Sequence, residues 1–282
     1  MMNAIELCLD LEDDLHELII AELDELGSEG FVQEENLLKA YVPEATWGDV
    51  QKEQLAKRLD QLNTKSSWDE RVIEQQDWNE PWEKSIKPIK VGEFYVRPSW
   101  TDQLRSDEER LIEIIIDPKM SFGTGHHETT RLVLRELPSF VKKGDKILDA
   151  GVGTSILSIA AIKKGAESAI GFDIDEWAVD NGNENAIRNG VQDQIVLREG
   201  SFNVVEESGF DVVFANINLN VLLDNSEFFV SKLKPNGYLL LSGVLRGDAA
   251  TVKEVFASVG FRIIRHSYEG EWYCIVMQKE EQ

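Results

Sequence analysis

Three kinds of residue in this chain are spaced as a nucleoside site would need them. Gly151 and Gly153 open a turn within Lys146-Ile-Leu-Asp-Ala-Gly-Val-Gly-Thr-Ser-Ile-Leu157, and Asp173 follows about twenty residues on. Glycine has no Cβ, so the backbone at both positions can approach whatever lies above it. A carboxylate at that separation suits the paired hydroxyls of a ribose. Asn216 ends the run Phe210-Asp-Val-Val-Phe-Ala-Asn216 and adds an amide oxygen. His126-His127-Glu128 invites a metal reading. Adjacent histidines point in different directions and no third ligand stands four residues on, so no metal is expected.

The elements around these residues read as an open α/β sheet. Ile147-Leu148 is a short apolar strand, Ile156 to Ile162 a helix apolar nearly all round, and Ala169 to Phe172 a second strand ending on Asp173. The third glycine of a dinucleotide fingerprint is replaced by Ile156, which disfavours a pyrophosphate and leaves a nucleoside without phosphates, S-adenosylmethionine being the common one. Ligands of such sheets lie beyond the carboxyl ends of the strands, where Asp149, Gly151, Asp173 and Asn216 all fall. Upstream, Leu111 to Ile116 is a β-branched strand. The polar, glycine-bearing loop Asp117-Pro-Lys-Met-Ser-Phe-Gly-Thr-Gly-His-His-Glu-Thr-Thr130 then reads as a lid or wall. Thr129 or Thr130 is expected to cap a helix running to Leu137. Downstream, Glu176 to Asn189 is a helix, Ile195 to Leu197 a strand, and Glu199-Gly-Ser-Phe202 a loop that can approach an adenine ring. Lys234-Pro-Asn-Gly237 is a turn into the buried strand Tyr238 to Ser242. Ala249 to Val259 is a helix, and Phe261 to His266 with Trp272 to Met277 a closing hairpin.

The first part of the chain carries charge rather than chemistry. Of 282 residues with a net charge of −23, residues 1–80 hold 21 acids and 6 bases, a net of −15. Phosphates would be repelled, so direct nucleic-acid binding is not expected, whereas a basic protein would be attracted. Strands at Ala4 to Leu9, Gly30 to Gln33, Leu37 to Val42 and Trp68 to Glu74, with helices at Asp13 to Leu26 and Asp49 to Leu62, give the ferredoxin-like order βαββαβ. The expected division is a ferredoxin-like domain over 1–76, a linker over 77–107 and the α/β domain over 108–282. Trp78 and Trp82 are expected to pin the two domains together. Cys8 and Cys274 read as free thiols of a reducing compartment. No leader-like or membrane-length apolar stretch is present, so a cytoplasmic protein is expected; a monomer is also expected.

Over nearly its whole length the chain resembles the ribosomal protein methyltransferases of the PrmA type. Asp117 to Thr130 is similar to the family's D-P-x-x-x-F-G-T-G-x-H-x-T-T, and Leu148 to Ala161 to its L-D-x-G-C-G-S-G-I-L-A-I-A-A. Ala215-Asn-Ile217, Leu241-Ser-Gly243 and Glu271-Trp272 match as well. The resemblance implies a seven-stranded Rossmann-like methyltransferase sheet preceded by a small α+β domain. It also implies S-adenosylmethionine as cofactor, and transfer of methyl groups to lysine or N-terminal amines of ribosomal protein eleven of the large subunit. By position it puts cofactor contacts on Thr130, Gly151, Asp173 and Asn216, with Gly153 in the same turn. Asn216 is the residue expected to orient the amine. An N-terminal domain that holds the protein substrate is also implied. Two departures stand out. Val152 replaces a usual cysteine and is expected to point into packing. Ser155 replaces a usual glycine and is expected to narrow the space above the turn or to cap the helix. A small-molecule methyltransferase and a non-catalytic ribosome-binding factor with the same fold are the alternatives.

Overall fold

The structure, a computed structural model, describes residues 4–62, 64, 67–73, 83, 85–103 and 110–281. The chain divides into two compact units, Met1–Trp78 and Asn79–Gln282. The pinning role expected of Trp78 and Trp82 lies outside the described residues.

In the first unit, alternation sets the sheet. Ile5, Leu7 and Leu9 share one face of strand β1 (Ala4–Asp10) and are buried, as two-residue periodicity requires. Strands β2 (Gly30–Glu34), β3 (Leu37–Pro43) and β4 (Trp68–Ile73) complete an antiparallel sheet in the order β2-β3-β1-β4. Helix α1 (His16–Glu25) brings Ile19 and Leu23 to this core, and α2 (Asp49–Gln61) brings Leu55 and Leu59. Asp13–Leu15, expected as the first turn of α1, is a separate 3₁₀ turn. The order and connections are those of the ferredoxin-like fold.

The second unit opens with a three-stranded sheet of β5 (Ile89–Val91), β6 (Phe94–Arg97) and β7 (Ile112–Ile115). Residues 89–91 and 94–97, within the stretch expected as a linker, are paired strand: β6 runs parallel to β7 in register from Phe94↔Ile112 to Arg97↔Ile115. Helix α3 (Glu128–Phe140) follows, then the βαβ unit of β8 (Lys146–Ala150), α4 (Ile156–Lys164) and β9 (Ser168–Asp173). Helix α5 (Glu176–Arg188), β10 (Ile195–Glu199) and β11 (Phe210–Asn216) continue the alternation. Helices α6 (Leu219–Asp224) and α7 (Ser226–Lys232) come next, unanticipated from sequence. Their apolar faces, Leu222 and Phe229, are fully buried. Strand β12 (Leu233–Leu245), α8 (Ala249–Ser258), β13 (Phe261–Glu269) and β14 (Trp272–Lys279) end the chain. The turn expected at Lys234 to Gly237 is an irregularity inside β12: pairing with β11 jumps from Phe210↔Leu233 to Val212↔Tyr238, with Asn236 at φ +64°.

These strands form one seven-stranded sheet in the order β10-β9-β8-β11-β12-β14-β13, parallel except where β14 pairs antiparallel with β12 and β13. Both faces are covered, which is why its central strands read as continuous apolar runs. Ile147 and Val212 join the core beneath α3 and α4, while the adjacent Leu148 and Val213 join the core with Leu222, Phe229 and Phe256. Strand order reverses between β8 and β11, so a crevice is expected above their carboxyl ends.

Candidate functional site

A cavity of about 510 Å³ lies above those strand ends, a volume suited to a nucleoside-sized ligand. Gly151, Gly153, Asp173 and Asn216 all line it, so these four residues meet at one cavity. Thr129 lines it as well. Thr130 stands one residue on, fully buried, its Oγ1 without a partner among the described residues. Neither threonine caps α3. The cap is His127, whose Nδ1 accepts the Thr129 N–H at 3.3 Å. The threonines fall inside the first turn because the chain leaves its extended conformation only after His127, at φ −75°, ψ 142°.

Asp173 ends β9 with its carboxylate at the cavity wall, accepting the N–H of Gly153 at 3.0 Å and of Asp175 at 3.2 Å. This ties the acid to the glycine turn. Gly151 and Gly153 have φ +74° and +49°, left-handed values that favour glycine. Much of the space their missing side chains leave is filled by protein. A Cβ on Gly153 would lie 2.3 Å from the Phe122 carbonyl oxygen, and one on Gly151 2.3 Å from Ile217 Cγ2. The loop from Asp117 is thereby locked onto the turn: Thr154 N–H donates to Phe122 O at 2.9 Å, and Thr154 Oγ1 to Gly123 O at 2.6 Å.

Asn216 presents an amide oxygen that is buried and unpartnered among the described residues. The rest of the lining is largely aromatic and aliphatic. Phe172 and Phe202 meet edge-on at 5.2 Å between centroids, so the loop thought able to approach an adenine ring does reach the cavity. His127 lies between Phe122 and Trp272, 5.1 and 5.0 Å away between ring centres. Its capping role was missed in the sequence, where the histidine pair was weighed only as a metal site and set aside; the cap position two residues ahead of Thr129 was the available signal. Trp272 was legible only as a resemblance, because pairing of β12 with β14 brings it in from the far end of the chain.

Asp149, beneath the turn, is buried and accepts from both N–H and Oγ–H of Ser158, at 3.1 and 2.7 Å. Burial pushes its carboxyl up to about 7 against those hydrogen bonds, with the Asp173 charge adding to the rise. Val152 packs inward over β9, within 2.9 Å of the place a Cβ on Gly171 would take. Ser155 departs from both expectations. It does not line the cavity and makes no capping bond. Its Cβ faces α5, 3.3 Å from where a Cβ on Gly182 would stand, and at φ +65° its Oγ has no partner among the described residues.

A seven-stranded sheet of this order, with β14 reversed and a glycine turn and acid at the ends of its first two strands, is that of the Rossmann-like methyltransferases. The model of the PrmA family, described as ribosomal protein L11 methyltransferase, matches residues 7–280. The chain is 34% identical over 282 residues to the ribosomal protein L11 methyltransferase of Chlorobaculum parvum, covering 98% of this chain and 96% of that one. It is 36% identical over 266 residues to that of Porphyromonas gingivalis, covering 92% and 89%. The crystal structure of ribosomal protein L11 methylase from Lactobacillus delbrueckii subsp. bulgaricus superposes with a TM-score of 0.65 at 27% identity, covering 70% of this chain and all of that one. The chain belongs to the ribosomal protein L11 methyltransferase family.

Proposed function

We propose that this protein transfers methyl groups from S-adenosylmethionine to amino groups of large-subunit ribosomal protein L11, on lysine side chains and the N-terminal amine. The observation that carries the reading is the cavity above β8, β9 and β11, with a carboxylate at one side and the unpartnered amide oxygen of Asn216 at another. The residues fit the donor: the size is that of a nucleoside, an acid stands where ribose hydroxyls would lie, and the glycine turn leaves no cradle for a pyrophosphate. When bound, S-adenosylmethionine supplies a methyl on a sulfonium sulfur, already activated towards an amine.

The chain's own residues then have three tasks. Asp173 accepts hydrogen bonds from the hydroxyls, in addition to those from Gly153 and Asp175. The apolar walls formed by Phe122, Phe172, Phe202 and Trp272 desolvate an entering lysine, which disfavours its charged form and frees its lone pair. Asn216 Oδ1 accepts an N–H of that neutral amine and aims its lone pair at the methyl carbon, roughly 3 Å away in a productive arrangement. Thr130 closes the wall behind Thr129. His127 is poorly placed as a base. Its Nδ1 lone pair accepts the Thr129 N–H, so the neutral ring carries its proton on Nε2 and offers the cavity no free lone pair. Solvent takes the proton. The first unit, rich in acids, holds the basic target. The protein acts as a cytoplasmic monomer and does not bind nucleic acid directly.

The test is incubation with methyl-labelled S-adenosylmethionine and ribosomal proteins from a strain lacking this gene, beside Asp173→Ala. Label in one small basic protein, lost with the variant together with calorimetric cofactor binding, is expected. Cofactor binding without label would overturn the substrate; neither binding nor label would overturn the activity.

A further inference from the structure

Helix α5 begins three residues after Asp173, with Asp175 as its N-cap accepting the Trp177 N–H at 3.0 Å. One of its faces is polar and yet turned inward. Asn181 and Asn185 are 3% and 0% exposed, and Asn189 is half-buried just past the helix end. Their spacing of four residues stacks them along one side of the helix. Buried amides must find partners, and these find them on the backbone of the segment leaving β7.

The pairing is systematic. Asn189 receives the Ile115 N–H at 3.0 Å and donates to Ile115 O at 2.6 Å. Asn185 receives the Asp117 N–H at 3.0 Å and donates to Asp117 O at 3.2 Å, and Asn181 donates to the same carbonyl at 2.8 Å. Glu184 binds the Lys119 ammonium at 2.7 Å, and Arg188 binds the Asp117 carboxylate at 2.7 Å. Ile115 and Asp117 are thus held through their backbones by successive turns of one helix, much as a neighbouring strand would hold them, and Lys119 is held through its ammonium. Asn185 does one thing more: its amide also donates to Thr154 O, at 3.2 Å, in the turn that Gly153 begins.

The end of the held segment is strained. Lys119 and the following Met120 take φ values of +40° and +73°, left-handed conformations that side chains resist. Such strain persists only where surrounding contacts over-determine it. Two residues later Phe122 enters the cavity wall, followed by His127 and Thr129. The loop that walls the site is therefore set by its anchor on α5, and the same side chain touches the glycine turn beneath.

We propose that Asn185, supported by Asn181, is a positioning residue that fastens the loop of residues 117–127 to the glycine turn at Thr154, so that the cofactor cavity exists only while both are held. This rests on the methyl-donor reading of the cavity. Losing the amide lowers the fraction of molecules with a formed cavity, and apparent affinity falls in proportion to that fraction. Once saturated, the same cavity is restored and turnover recovers.

The experiment uses the full chain and its Asn185→Ala variant. Amide exchange is followed in residues 119–127 without ligand and with saturating S-adenosylmethionine, and steady-state methyl transfer is measured alongside. Exchange of these amides at least tenfold faster in the unliganded variant, with β8 and β11 unaffected, is expected. So is recovery of protection on saturation, a KM for S-adenosylmethionine raised about tenfold and kcat within threefold of wild type. A uniform loss of protection across the unit, or an unchanged KM beside a lowered melting temperature, would show a merely structural role and overturn the proposal. If Asn185→Ala does not fold, Asn181→Ala removes only its bond to Asp117 O and a longer one from Asn185, leaving the bonds of Asn185 to the loop and the turn in place. It must then show the same localised loss at smaller size, and unchanged exchange in 119–127 overturns the proposal. Exchange without ligand needs no cofactor, so failure of the wild type to bind S-adenosylmethionine would sink the methyl-donor reading while leaving the clamp separately tested.

Discussion

Replacing Ser155 with glycine should stabilise the protein. Ser155 precedes α4 at φ +65°, ψ +16°, fully buried, with its Oγ unpartnered among the described residues. A left-handed L-residue costs roughly 1–2 kcal/mol relative to its right-handed alternative. A buried hydroxyl without a partner costs roughly 1–3 kcal/mol. Glycine relieves both. Against this it brings about 0.5–1 kcal/mol of extra unfolded-chain entropy and loses a contact worth about 0.8 kcal/mol beside Gly182. The balance is a gain of about 2 kcal/mol, which in a unit of this size raises the melting temperature by about 4–8 °C. Because Ser155 faces α5 and not the cavity, turnover should stay within twofold of wild type. Ser155→Ala separates the contributions, since it deletes the hydroxyl and keeps the left-handed strain. Thermal and urea unfolding of the three proteins, followed by circular dichroism, decides the matter. Ser155→Gly unfolding at or below wild type would refute the strain argument, and an alanine variant equal to glycine would assign the whole effect to the hydroxyl.

Gly153→Ala should cost at least about 2 kcal/mol, because the methyl meets a backbone carbonyl at φ +49° and the loop at Phe122 must move; an unchanged urea midpoint would dismiss the interlock. Asp149→Asn should stabilise the protein increasingly between about pH 4 and 7 relative to wild type. The folded-state value of Asp149 is raised to about 7, so its contribution is full below its unfolded value and is lost as pH rises through the folded one. The loss is at most about 1.4 kcal/mol per pH unit, and parallel stability curves for the two proteins would contradict it. Burial pushes the Cys274 thiol well above the ordinary range, whereas Cys8 is only half-buried. A thiol reagent at pH 8 should therefore modify Cys8 alone in the native protein and both after unfolding; two equivalents reacting in the native state would argue against this packing.

Strands and helices were legible where periodicity was undisturbed. Ile5, Leu7 and Leu9 alternate in sequence and lie on one buried face. Ile156 to Ile162 are apolar all round because α4 lies under a sheet with no water on either side. Helices α6 and α7 were not legible, since each runs under two turns, six and seven residues, too few for a repeating apolar stripe to stand out. The strand-end acid and amide were found because the chain leads them to the same edge by topology alone. His127 and Ser155 were misread for a different reason. Each side chain's role depends on one backbone angle: extended at His127, which makes it a cap, and left-handed at Ser155, which prevents one. Composition carries no trace of either.

The glycines show most clearly what spacing can and cannot tell. Gly151 and Gly153 suggested room for a ligand, and both do border the cavity. Yet a Cβ on Gly151 would strike Ile217, one on Gly153 the Phe122 carbonyl, one on Gly123 Thr154 Oγ1 at 2.7 Å, and one on Gly243 the Ile217 carbonyl at 2.4 Å. Each small residue is needed first so that three loops, following β7, β8 and β11, can close on one another. The cavity is what remains between them. Where the loops meet, the fit is close enough that a single methyl would clash, and the cavity between them is lined by the aromatic and aliphatic side chains they carry. A site built in this way gains precision from its anchors, and the asparagines of α5, which do not line the cavity, are among them.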